Sequence, residues 1–223
     1  MKRAVVPSII ANSQAELEMR IKSVNSKIYQ LDVMDGKFVK NKSLMFDFKL
    51  PKSKKYEAHL MIKNPEVWIE KNWNKTGIII FHIESTKNPD KVIGLIKNKK
   101  ALERNSKPRS SKMPNERKIG IAINPQTSIE KIKIHINEID LVLVMTVNPG
   151  KYGSKFIPKT LEKVRQIRKL NPNIEIEVDG GINDKTIRKT LSAGANRFVS
   201  GSYIQNSENP KKSFEKLKRI IKT

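Results

Sequence analysis

The stretch Tyr29-Gln30-Leu31-Asp32-Val33-Met34-Asp35-Gly36 places an acid inside an apolar run that otherwise reads as a buried strand. Burial disfavours a carboxylate unless a cation, a metal or a hydrogen-bond donor answers it, so Asp32 at a strand end is a site candidate. Ile174-Glu175-Ile176-Glu177-Val178-Asp179-Gly180-Gly181 has the same grammar, a strand ending in Asp and then Gly. Two such acids, Asp32 and Asp179, can face each other across the mouth of a barrel.

Strand-like apolar runs of this kind recur along the chain, at residues 4–10, 28–33, 56–62, 77–83, 119–123, 141–146, 174–178 and 197–200. Between them lie helix-like segments over 14–24, 65–73, 90–99, 128–137, 158–170, 184–193 and 209–221. Pro65 and Pro158 suit a first helical turn, and Asn183 and Asn209 suit caps. Only the link between the second and third strands, around 42–54, has no clear helix. Such an alternation in 223 residues predicts an α/β chain folded as a single (β/α)8 TIM barrel over 1–223, in preference to a doubly wound sheet.

Composition narrows the function classes. With no Cys there is neither a disulfide framework nor a thiolate metal site. The apolar start before Pro7 and Ser8 is too short for a signal-peptide core, and no apolar run is long enough to span a membrane. A cytoplasmic protein is expected. The formal charge of +23 invites a nucleic-acid reading, but Lys and Arg are spread over nearly every helix and loop, as on a solvated Lys-biased surface. The exception is 98–118, with Lys99, Lys100, Arg104, Lys107, Arg109, Lys112, Arg117 and Lys118 among Pro and Ser. It reads as a basic insertion between the fourth and fifth strands that can steer anions or touch RNA.

A barrel carries its active residues at strand C-termini. Asp32 closes the second strand, His59 lies in the third, His82 and Glu84 end the fourth, and Asn124 follows the fifth. Met145 and Thr146 end the sixth, Asp179 the seventh, and Gly201 and Ser202 follow the eighth. His135, on a predicted helix, is expected at the surface. Three glycine-bearing turns share this rim: Asn148-Pro149-Gly150-Lys151-Tyr152-Gly153-Ser154, Asp179-Gly180-Gly181 and Ser200-Gly201-Ser202. Glycines let backbone N–H groups approach an anion closely, and the last two barrel loops often hold phosphate, so a phosphorylated substrate follows.

Pro7-Ser8-Ile9, Asp32-Val33-Met34-Asp35-Gly36 with Phe38-Val39 and Asn41, His59-Leu60-Met61, Asn124-Pro125 with Thr127, Val144 to Gly150, Val178 to Gly181 and Gly201-Ser202 occur in an order that resembles the ribulose-phosphate 3-epimerase family. The resemblance runs from Pro7 to Ser202, nearly the whole chain. It implies a cytosolic, homo-oligomeric isomerase that interconverts ribulose 5-phosphate and xylulose 5-phosphate through an enediolate. Asp32 and Asp179 map onto the two aspartates that take and return the proton from opposite faces. Ser8, His59, Met34, Met61, Met145, Gly150, Gly153, Gly180, Gly181, Gly201 and Ser202 map onto the substrate's surroundings, the methionine sulfurs lining the reacting carbons. The family's divalent ion, of the Zn, Fe, Mn or Co type, maps onto Asp32, His59 and Asp179.

The family's second metal-binding His belongs two residues before Asp32, and this chain has Gln30 there. A Gln carbonyl is a weaker ligand than imidazole for zinc-like ions. Three outcomes are open: a three-residue site completed by water, an enzyme without a tightly held ion, or an idle paralogue. Lys151, Tyr152, Gly153 and Ser154 replace an aromatic-glycine-glycine-glutamine run, Ala11-Asn12-Ser13-Gln14 replaces a more acidic and aromatic loop, and Glu57 stands where Asp is common. Specificity for a related ketose phosphate such as allulose 6-phosphate is one alternative. Another is an idle barrel that binds RNA through its basic insertion, though that insertion is poor in the aromatic residues used for stacking bases.

Overall fold

In a computed structural model of the protein, which describes residues 1–105, 117–150 and 153–222, the second residue of each pair along a strand faces the opposite side of the sheet from the first. Tyr29, Leu31 and Val33 join the large apolar cluster beneath the helices, while Gln30, Asp32 and Met34 take the other side. The acid out of place in its apolar run is thus an inward-facing residue of a strand whose alternate positions are apolar and outward.

The described strands that build the barrel are β1 (Ala4–Ile9), β2 (Ile28–Asp35), β3 (Lys55–Met61), β4 (Ile78–His82), β5 (Lys118–Ile123), β6 (Leu141–Met145), β7 (Glu175–Asp179) and β8 (Arg197–Ser200). They run parallel in sequence order, and β1 pairs with both β8 and β2, which closes the sheet. Register aligns the site: Ser8 lies beside Gln30, Asp32 beside His59, and Met145 beside Asp179. The helices between strands are α1 (Gln14–Ser23), α2 (Glu66–Asn72), α3 (Pro89–Asn105), α4 (Glu130–Lys133), α5 (Leu161–Leu170), α6 (Ile187–Ser192), α7 (Ser202–Gln205) and α8 (Pro210–Ile220). The expected (β/α)8 TIM barrel is the observed fold.

Local chemistry marks the approach to several of these helices, although α6 begins at Ile187 with Thr186 at its cap position and Pro65 stands just ahead of α2. Ser13 accepts from the Glu16 N–H ahead of α1, and Asn209 accepts from Lys212 N–H at 3.0 Å ahead of α8, with Pro210 in its first turn. Asn183 Oδ1 accepts from the Lys185 and Thr186 N–H groups and organises the approach to α6. Packing then holds the helices down: Leu17 and Ile21 of α1, Val164 and Ile167 of α5, and Phe214 and Leu217 of α8 are buried against the strands' outward faces. Each such side chain contributes about 1.5–3 kcal/mol on leaving water.

The larger departures from expectation concern two helices and one side chain. The helix expected over 90–99 runs on to Asn105, because Lys99, Lys100, Ala101, Leu102 and Arg104 are good helix formers even after the buried stripe of Val92, Ile93 and Ile96 ends. The first part of the basic stretch 98–118 is therefore helix, and residues 106–116 lie outside the described residues. The helix expected over 128–137 shrinks to α4, a single turn anchored by buried Ile132. His135, expected at the surface, is buried at 3% exposure, since the turns after α4 fold it back to within 3.3 Å of Asp90. Between β2 and β3 there is no helix among the described residues, only a two-residue strand, Lys42–Ser43, antiparallel to the end of β2.

The barrel's interior is divided lengthwise. Ile78 and Ile80 of β4, Ala122 of β5, and Leu141, Leu143 and Met145 of β6 form a separate inner apolar cluster. Opposite them β2, β3, β7 and β8 send in Gln30, Asp32, Glu57, His59, Glu177, Asp179 and Arg197, all buried. Arg197 is ion-paired with Glu57 and, at 2.6 Å, with Glu177, which forms a charged floor below the residues at the strands' C-terminal ends. No described helix is long and apolar enough to cross a membrane.

Candidate active site

Asp32 and Asp179 meet at the C-terminal end of the barrel, where they line one pocket. They are 5% and 8% exposed, and both are held by one fully buried side chain. Gln30 Nε2 donates to Asp32 Oδ1 at 2.8 Å and to Asp179 Oδ2 at 2.8 Å. Burial pushes the Asp32 carboxyl up, with the charge of Asp179 adding to the effect and hydrogen bonds from His59 and Gln30 opposing it.

His59 lies under the pair, fully buried, with Nδ1 3.3 Å from Asp32 Oδ1 and 3.2 Å from Asp179 Oδ2. Burial works against a charged imidazole here, but the hydrogen bonds and charges of the two carboxylates outweigh it and raise His59 to about 10. Its Nε2 faces His82 Nε2 at 2.9 Å, and His82 Nδ1 faces Glu84 Oε2 at 3.2 Å. Burial lowers His82 to about 4, so it is a neutral ring that donates from Nδ1 to Glu84 and accepts at Nε2 from His59.

The pocket gathers most of the side chains expected from sequence. Ser8, Met34, Met61 and Met145 line it beside the two acids, and Gly150, Gly153, Gly180, Gly181 and Ser202 form its outer wall. Two positions differ in detail. His59 contacts the carboxylates from beneath instead of opening onto the pocket, and Gly201 precedes α7 as its flank while Ser202 does the lining. Lys151 and Tyr152 lie outside the described residues.

The glycines are demanded by the backbone at two places. Gly180 has φ +115°, and a Cβ there would meet Val147 Cγ2 at 2.3 Å. Gly150 has φ +111°, and a Cβ there would meet Val39 Cβ at 2.8 Å. Asn41 Nδ2 donates to the Gly150 carbonyl at 2.7 Å and ties this turn to the loop after β2.

The second acid of the opening stretch has a structural task. Asp35 accepts backbone N–H groups from Lys37, Phe38 and Lys63; burial raises its carboxyl, and these bonds overcome that and hold it below the usual range. His82 and Glu84, visible in the sequence as the end of the fourth strand, continue the chain of contacts that starts at the aspartates. The sequence marks Thr146 as a strand end without showing that its Oγ1 donates to the carbonyls of Asp179 and Gly180, and it does not single out Lys163, whose Nζ donates to the carbonyls of Asn124 and Pro125 at 2.9 and 2.7 Å. A polar residue just past a strand end was the available signal for Thr146; Lys163 gave none, because a lysine on an amphipathic helix normally points to water.

Asp32, His59 and Asp179 each present a ligand atom, all within 4.8 Å of one another, a set that could hold a metal ion. The ribulose-phosphate 3 epimerase family matches residues 4–106 and 110–205. The chain belongs to the ribulose-phosphate 3-epimerase family. It is 34% identical to ribulose-phosphate 3-epimerase of Helicobacter pylori, over 97% of this chain and 97% of that protein. It is also 34% identical to the cytoplasmic isoform of the enzyme from Oryza sativa subsp. japonica, over 98% of this chain and 92% of the other. Among solved structures, 3-hexulose-6-phosphate synthase from Salmonella typhimurium superposes with a TM-score of 0.67 at 12% identity, covering 99% of this chain and 98% of that one, which is a likeness of fold alone.

Proposed function

We propose that the protein interconverts ribulose 5-phosphate and xylulose 5-phosphate, with Asp32 and Asp179 as the two proton-transfer groups. The observation that carries this reading is the approach of two buried carboxylates to one amide nitrogen at 2.8 Å each, at the floor of a pocket walled by glycine turns. Inversion at one carbon needs a base on one face and an acid on the other. A pair in which one carboxylate is ionised and its partner protonated supplies both, and the roles exchange for the reverse reaction.

The other side chains take supporting roles. Backbone groups at Gly150, Gly153, Gly180, Gly181, Gly201 and Ser202 bind the phosphate, whose charge anchors the substrate away from the reacting carbon. Met34, Met61 and Met145 enclose the planar enediolate without offering a competing proton. Ser8 reaches the substrate from β1. Asp32, His59 and Asp179 are donors of the right kind for a divalent ion, but the atom at their meeting point is Gln30 Nε2, which donates hydrogen and cannot ligate. With that N–H donor in place the three atoms are not open to an ion, and the proton transfers above use only the chain's own groups. A relative named as a cytoplasmic isoform supports a cytoplasmic location.

Purified protein incubated with ribulose 5-phosphate in deuterated water tests the reading. Deuterium at the epimerised carbon together with xylulose 5-phosphate is the expected result, and no exchange with or without added divalent ions would sink it. Faster exchange into allulose 6-phosphate would redirect the specificity while keeping the mechanism.

A further inference from the structure

A buried glutamine stands where three candidate ligand atoms converge. Gln30 Nε2 lies 2.8 Å from Asp32 Oδ1, 2.8 Å from Asp179 Oδ2 and 3.4 Å from His59 Nδ1. An ion bound by oxygen and nitrogen ligands sits about 2.0–2.2 Å from each. An ion serving this set and the amide nitrogen would therefore compete for one position.

The amide cannot simply share it. Its nitrogen has two N–H bonds and no lone pair for a metal, and the two bonds meet two carboxylate oxygens. The reversed orientation would press Oε1 against those same oxygens, so the carboxylates select the one observed. Gln30 Oε1 is left buried with no hydrogen-bond partner, a cost that marks the NH₂ end as the part the site requires. The side chain is fully buried, and its strand is paired on both sides, at Ser8 and Glu57, which leaves it little room to swing away.

We propose that Gln30 is a positioning residue that occupies the place of a divalent ion, its two N–H groups holding Asp32 and Asp179 at the reacting carbon so that turnover needs no metal. The turnover part rests on the epimerase reading above; the occupancy part rests on the geometry alone.

Co²⁺ titration of the chelator-treated full-length protein, followed by visible d–d absorption, tests occupancy without reference to activity. The wild type is expected to develop no bound-cobalt bands. Gln30→His, which exchanges the donor for a ring with a lone pair, is expected to gain them with affinity at least about tenfold higher. The deuterium-exchange assay with ribulose 5-phosphate runs in parallel, and wild-type turnover is expected to be unchanged by EDTA. A wild-type protein that takes up one Co²⁺ with bands lost in Asp32→Asn, or that stops turning over in EDTA, would overturn the proposal. Absence of exchange under every condition would count against the epimerase reading and metal-free turnover, while the cobalt titration would still decide whether Gln30 holds the ion's place.

Discussion

Two aspartates separated by 147 positions in the chain carry the proposed chemistry, and each is expected to be indispensable for a different face of the substrate. Asp32→Asn and Asp179→Asn each remove an acid–base group while keeping shape and hydrogen-bonding capacity. Each should lower kcat by about 10²–10⁴, with an unchanged circular dichroism spectrum and melting temperature near that of wild type. Gly180→Ala tests the turn beside them. With φ at +115° and Val147 Cγ2 2.3 Å from the added Cβ, the variant should lose about 1–3 kcal/mol in urea unfolding. Both aspartates were legible in the sequence, since a strand ending in Asp and Gly announces itself. The task of Gln30 was not: it depends on Asp179, a residue 149 positions away, and on which end of an amide turns inward.

At the scale of elements, β4 and the loop that follows it tie the site to its neighbour. Glu84 accepts from His82 on one oxygen and from Asn124 N–H and Thr127 Oγ1 on the other, bridging the end of β4 to the end of β5. Burial pushes its carboxyl up, but those hydrogen bonds prevail and bring it down to about 2 from 4.5. A carboxyl held low in the folded state stabilises above its unfolded value and loses that contribution as pH falls toward its folded one. Thermal melts should therefore show wild type losing stability between pH 4.5 and 2 more steeply than Glu84→Gln, with the two curves running parallel above that window. The order of strands and helices could be read from alternation and caps alone. Helix ends could not: α3 continues past its buried stripe on intrinsic propensity, and α4 stops after one turn because the packing of Ile132 and His135 sets its length.

For the whole molecule, the surface charge and the interior charge have different meanings. The +23 is distributed over helices and loops, and the basic stretch extends α3 at its start and enters β5 at its end. Below the aspartates the interior charge gathers at Arg197, Glu57 and Glu177, which the sequence showed as strand residues without revealing that β3, β7 and β8 bring them together. Arg197→Met strands two buried carboxyls without their cation. It should cost about 3–5 kcal/mol in chemical denaturation, whereas methionine at the exposed Lys211 should be nearly neutral.

The lengthwise division of the barrel's interior also sets how freely the chain can drift. Below His82 and Met145, the inward positions on β4 to β6 join one apolar cluster, so conservative apolar exchanges at Ile80, Leu141 or Leu143 need preserve little more than volume. Across the lumen Gln30, Asp32, His59 and Asp179, and below them Glu57, Glu177 and Arg197, answer one another by charge or hydrogen bond, so a change at one is tolerated only with a matching change at its partner. A saturation library selected for folding would then show a barrel permissive along one wall and covarying along the other, with the active end built on the wall that is harder to alter.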